Sequence, residues 1–192
     1  PFPYLAATLE DRLCTLAWHA GDPAAAYGHA RAARATSERG ITPLERVRGR
    51  MPLLLLLAID RPEEALVEVD EALGITVPVG EVRWTHLLRL VRVGVLYTLQ
   101  RDGDARAALT AVAGRAHTPQ VRERHDLLRA LLGVPVELPE GLEPWAEAGR
   151  LRDAVLRDEP GAREALVRHI DALGRPPRLF LASLEAAWRR LI

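Results

Sequence analysis

A chain of 192 residues with 48% hydrophobic, 27% charged and 5% aromatic side chains has ordinary globular composition and enough length to bury a core without disulfides or metals. Twenty-six basic and 26 acidic residues cancel, which speaks against a nucleic-acid or anionic-membrane binder driven by bulk charge. No apolar run approaches the roughly 18 residues of a spanning helix, no secretory signal opens the chain, and one Cys allows no internal disulfide, so a cytoplasmic location is expected. Every basic residue is Arg and Asn is absent, as a GC-rich genome would give; scarce Gln, Cys and Met add a thermophilic source as a second reading. The start at Pro1-Phe2-Pro3, without Met, reads as a piece of a longer protein.

Gly and Pro cut the chain into helix-length pieces. Gly21-Asp22-Pro23 reads as a stop, an N-cap and a first-turn Pro; Gly40 closes the next piece where φ > 0 is expected. Thr42-Pro43-Leu44-Glu45 is a capping box. The helix it opens meets Pro52 about nine residues in. It either breaks near Gly49–Pro52 or bends there, and a kink is the expectation. Arg61-Pro62-Glu63-Glu64 starts another helix with acids in its first turn, and Gly74 is read as its stop. Further starts fall at Gly103-Asp104, Thr118-Pro119, Glu143-Pro144 and Pro160-Gly161, with stops at Gly133 and Gly174. Leu179–Ile192 forms a terminal helix with a stripe of Leu181, Leu184, Trp188 and Leu191.

Between these marks the apolar period is helical, for example Ala65, Leu66, Val69, Ala72 and Leu73. Ile75–Val79 and Val134–Leu138 are short, contain Pro and read as extended loops. The expectation is an all-α fold of roughly nine or ten helices. It forms one helical-repeat domain over 1–192, with an irregular segment at about 133–143.

The corners between helices repeat. Gly21-Asp22-Pro23-Ala24-Ala25-Ala26, Arg61-Pro62-Glu63-Glu64-Ala65, Gly103-Asp104-Ala105-Arg106-Ala107-Ala108 and Pro160-Gly161-Ala162-Arg163-Glu164-Ala165 each end in an Ala that is expected to be buried against the preceding helix. This pattern resembles the tetratricopeptide-repeat family: a Gly before the turn (Gly21, Gly103), the corner Ala (Ala26, Ala65, Ala108, Ala165) and a later Ala (Ala33, Ala72, Ala172), which is Arg115 in the third unit. The spacing is irregular where the family keeps 34, the first-helix aromatics are mostly aliphatic, and the closing Pro is displaced. The resemblance covers about Leu5 to Leu173, with a gap between His117 and Pro144.

The resemblance implies antiparallel hairpins stacked as a right-handed α-solenoid with a concave groove. It also implies a non-catalytic module that binds a protein, a peptide or a small effector there. The pattern is similar to the helical repeats that large bacterial transcription regulators carry between a nucleotide-binding switch and a DNA-binding domain. Groove positions mapped from the corners are Asp11, Thr15, Trp18, Arg50, Tyr97, Gln100 and Arg150, with Trp18 the leading anchor.

No linear motif for catalysis stands in the sequence: no phosphate-binding glycine loop and no Gly-x-Ser-x-Gly elbow, Ser occurring only at Ser37 and Ser183. Neither a cofactor nor a metal site is expected. The six histidines, His19, His29, His86, His117, His125 and His169, do not pair at metal-ligand spacing; His169 reads as a packed core histidine and Cys14 as a buried, inert thiol. Arg46 and Arg50 share a face, yet most arginines have acids one helical turn away, as Asp153 has Arg150 and Arg157, so nucleic-acid binding is not expected. The competing function is a helical enzyme with scattered Asp, Glu and Arg; an open groove favours the binding module and a deep closed acidic pocket the enzyme.

Overall fold

Short-range chemistry sets most of the helix ends. Asp22 caps a helix by accepting the Ala25 N–H at 2.9 Å, Thr42 and Glu45 form the reciprocal capping box, and Thr118 accepts from Val121 N–H. Pro stands in the first turn of seven of the described helices, where its missing N–H costs nothing. The resulting computed structural model describes residues 3–40, 42–112 and 118–192 and is all-α, with no strand among the described residues. Pro1, Phe2, Arg115 and His117 lie outside the described residues.

The helices in chain order are α1 (Pro3–Ala20), α2 (Pro23–Ser37), α3 (Pro43–Arg48), α4 (Met51–Asp60), α5 (Pro62–Thr76) and α6 (Val82–Thr98). They continue with α7 (Asp102–Thr110), α8 (Pro119–Leu131), α9 (Glu143–Leu156), α10 (Ala162–Leu173) and α11 (Leu179–Arg189). The described helices outnumber the nine or ten expected because the stretch after Thr42 divides in two. Pro52 does not kink one helix: α3 ends at Arg48, and α4 restarts at Met51 with Pro52 in its first turn. Gly49 at the break lies so close to α2 that a Cβ there would stand 2.5 Å from the Ala33 carbonyl oxygen. Arg46 therefore lies in α3 and Arg50 in the turn that caps α4, so the two share no helix face.

The chain forms two compact units, Pro1–Leu88 and Arg89–Ile192, divided inside α6. In the first, α2 folds back along α1, α5 folds back along α4, and α2 also touches α4. The small stripe Ala26, Ala30 and Ala33 lets α2 approach closely, and Leu54, Leu56, Ala65, Val69 and Ala72 are shut off from solvent with it. In the second, α9 packs on α10 and α8, while Leu127, Leu128, Ala148, Leu166, Ile170 and Leu184 are buried. The terminal stripe of α11 is buried at Leu181, Leu184 and Trp188; Leu191 is half-buried beyond the helix end. Residues 134–139 between α8 and α9 have no regular structure, as expected of Val134–Leu138, whereas Ile75 and Thr76 belong to the end of α5.

The corner register needs one correction, at α7. The sequence starts the helix at Gly103-Asp104 with Gly103 as the glycine before the turn, but the left-handed residue there is Gln100, with φ 59°, and the Arg101 N–H bonds to the Leu96 carbonyl at 2.9 Å. The Gly21 turn closes in the same way, the Asp22 N–H reaching the Ala17 carbonyl at 3.0 Å. Gly103 is thus inside α7, and Ala105, not Ala108, is the closely packed alanine; Ala108 is half-buried. At α10 the buried stripe is Ala162, Leu166 and Ile170, and Ala165 is half-buried, because α10 starts directly after Gly161. In the corrected register Ala26, Ala65 and Ala105 are each the fourth residue of a helix. They recur at near-equal steps of about forty residues. Gly40 has no positive φ; a Cβ there would meet Glu45 Cβ at 2.7 Å, so closeness and not backbone sign asks for glycine. Gly74 does not stop α5, which runs through it to Thr76.

Candidate functional site

Three helices of the first unit build an open cleft of about 600 Å³. Its floor is the α4 run, an unbroken apolar sequence, from which Leu53 and Leu57 face the cleft. One wall is α2 with Arg31, Arg34, Ala35 and Glu38, the other α5 with Glu64, Val67, Glu68 and Glu71, and Arg61 stands at the turn between α4 and α5. Both walls use the i, i+3, i+4, i+7 positions that share a helix face. Val67 is 62% exposed, an apolar contact point beside the acids.

Most of the wall charges are already paired, Arg31 being the exception among the described residues. Glu68 is 5% exposed and is reached by Arg34 at 3.1 Å and by Arg50 Nη1 at 2.9 Å. Arg50 Nη1 also donates to Glu71 at 2.9 Å, and Arg34 lies 3.3 Å from Glu38. Burial pulls the Arg50 pKa down, and the hydrogen bonds and charges of Glu71 and Glu68 more than reverse it, so its net shift is upward. At the α4 end, Tyr27 sits with its hydroxyl 3.0 Å from the Leu56 carbonyl and 2.9 Å from Asp60, under the guanidinium groups of Arg31 and Arg61, each 5.7 Å from its ring. Burial, then Asp60, push the Tyr27 phenol up to about 12. The arrangement offers a partner an apolar strip bordered by fixed donors and acceptors of both signs. It is open, not a closed acidic pocket.

Of the residues expected in a groove, Arg50 belongs to this charged network. Asp11, Thr15 and Trp18 share a face of α1, where Thr15 Oγ1 donates to the Asp11 carbonyl at 3.0 Å; none of the three lines the cleft. Burial raises the Asp11 carboxyl against the pull of Arg12 and Arg48. Trp18 is half-buried and its carbonyl accepts the Gly21 N–H.

In the second unit, Tyr97 is a core residue and not a groove anchor. It is fully buried, accepts the Trp188 Nε1–H at 3.1 Å and lies 4.1 Å under the Arg152 guanidinium. Gln100 is the exposed left-handed cap, and Arg150 is an exposed residue paired with Glu147 one turn away.

Sequence reasoning missed three charged side chains that occupy positions on apolar stripes: Glu68 beside Ala65, Val69 and Ala72; Arg124 beside Val121 and Leu128; Arg152 beside Trp145, Ala148 and Gly149. A charge recurring at core spacing was the available signal. Arg152 is the most buried, and Asp102 receives both of its terminal nitrogens at 2.8 Å. Cys14 is fully buried, its thiol pushed up to about 11 by burial and by Asp11. His169 is half-buried with Nε2 2.7 Å from the Pro144 carbonyl. Among the described residues no three His, Cys, Asp or Glu side chains are placed to share a metal ion, and no helix is long and apolar enough to cross a membrane. The chain shows no significant match to protein-family models, to curated proteins or to solved structures.

Proposed function

We propose that the chain is a tetratricopeptide-like interaction module whose first unit holds a segment of a partner protein in the α2–α4–α5 cleft. The observation that carries this is the cleft itself: an open, apolar-floored channel with pre-paired Arg and Glu on both walls. Such a surface suits an amphipathic segment that lays an apolar side chain on Leu53 and Leu57 and meets the walls with charges of both signs. Its volume falls in the range of specific small-ligand sites as well, so a small effector is the neighbouring form of the same reading. The recurring corners support a helical-repeat scaffold, and a place within a larger bacterial transcription regulator is the setting this reading assigns.

The test uses the exposed Val67. A photo-crosslinking amino acid there, and one at Arg150 in the second unit as a control, is compared in the source cells. A defined adduct from Val67 that Ala35→Arg, on the facing wall, eliminates supports the cleft. Equal adducts from both positions, or an undiminished Val67 adduct in the Ala35→Arg chain, would refute it.

A further inference from the structure

The second unit contains a cation that its own fold leaves short of acceptors. Arg124 stands on the inward stripe of α8. Its Nη1 is shut off from solvent and meets no hydrogen-bond acceptor. The Phe180 ring lies 5.0 Å from its Cζ, an attraction that offsets only part of the cost of desolvating a guanidinium. Glu123, the carboxylate that acts on it, is held by Arg178 at 2.7 Å. Two guanidinium groups therefore share one carboxylate, leaving one positive charge in excess. Burial, then Arg178, lower the Arg124 pKa to about 10, which leaves it charged at neutral pH.

Arg124 and Arg178 line one small pocket together with Glu123, which Arg178 holds, and with Leu127, Leu142, Phe180 and Leu181. Its free space of about 20 Å³ takes one small polar group. We propose that this pocket is a carboxylate-binding site: the acid group of a ligand is taken by Arg124 and Arg178, and a short apolar chain behind it lies on Leu142, Phe180 and Leu181. The size and the single excess charge match a planar monoanion better than a phosphate dianion. Arg is the side chain suited to it, because its fork donates two parallel hydrogen bonds to a carboxylate. This site is independent of the cleft in the first unit.

Hexanoate, with hexanol as its neutral counterpart, is titrated into the whole chain and followed by the Arg Nε–H NMR signals and by melting temperature. A second arm uses a hexapeptide ending in Leu, with a free or an amidated C-terminus. Saturable binding of a carboxylate, weakened about tenfold or more by hexanol, by amidation and by Arg124→Met, is expected. Tighter binding of hexanoate identifies a free acid as the source, and tighter binding of the peptide a chain terminus; either supports the site. Without ligand, Arg124→Met is expected to melt above the parent, since it removes a half-buried cation whose Nη1 has no acceptor. No saturation by any carboxylate, binding equal in Arg124→Met, or an Arg124→Met chain that melts below the parent overturns the proposal.

Discussion

Replacing Asp102 by Asn is expected to destabilise the second unit by about 3 kcal/mol, toward the low end of the range for removing one partner of a buried ion pair. The figure follows from what Arg152 keeps and loses. Its side chain is 2% exposed, so water cannot take over from the missing carboxylate, and both 2.8 Å bonds lose their charged acceptor. Asp153, 3.0 Å from Nη1 and one-third exposed, retains part of the compensation, as does the Tyr97 ring. For a unit of this size the loss corresponds to a fall in melting temperature of roughly 12 °C or more. Denaturant unfolding can be followed by tryptophan fluorescence, because Trp145 and Trp188 lie 5.9 Å apart in the same unit. The decisive comparison is a double-mutant cycle with Arg152→Met. Once the cation is gone, Asp102→Asn should cost little, since the penalty belongs to the charge left behind and not to the lost bonds alone. An Asp102→Asn chain within about 0.5 kcal/mol of the parent, or equal costs in the two backgrounds, would refute this account.

Ala105→Leu is expected to destabilise by about 1–3 kcal/mol through overpacking, and Ala108→Leu by clearly less, measured as denaturant midpoints; the reverse order would return the corner to Gly103. Cys14 should resist thiol reagents at pH 8 in the native chain and react on unfolding, and labelling at the rate of free cysteine would contradict its burial. Its thiol is raised from 9.0 to about 11, so the stability tied to keeping it neutral is full below pH 9 and is lost as pH climbs through 11. The melting temperature of the parent should therefore fall more steeply over that window than that of Cys14→Ala, and parallel curves would remove the thiol from the explanation.

What was legible in the sequence was what neighbours in sequence decide. Asp22, Thr42 with Glu45, and Thr118 cap helices through bonds to residues three positions on, and each was readable. The stop after α6 was not, because a non-glycine residue, Gln100, holds the left-handed position, and the glycine that attracted attention lies inside the next helix. That single displacement moved the third corner alanine by three residues. The expected groove followed first helices mapped from those corners, while the observed cleft uses α2, α4 and α5; of the expected residues only Arg50 touches it, through its ion pairs with the wall acids Glu68 and Glu71. Nothing local could show that Arg124 lacks an acceptor, since Arg178 takes the neighbouring Glu123 from 55 residues away.

The pairing of Arg34 and Arg50 with Glu68 and Glu71 has a kinetic and ionic side. An acid directed at Arg34 or Arg50 does not meet a bare cation with its counterions; it exchanges places with a carboxylate of the same chain. The displaced glutamate takes up the role of the counterion, and few salt ions are released into solution. Association through these walls is therefore expected to respond weakly to ionic strength, with little long-range steering, and selection among partners falls to fit along Leu53, Leu57 and Val67.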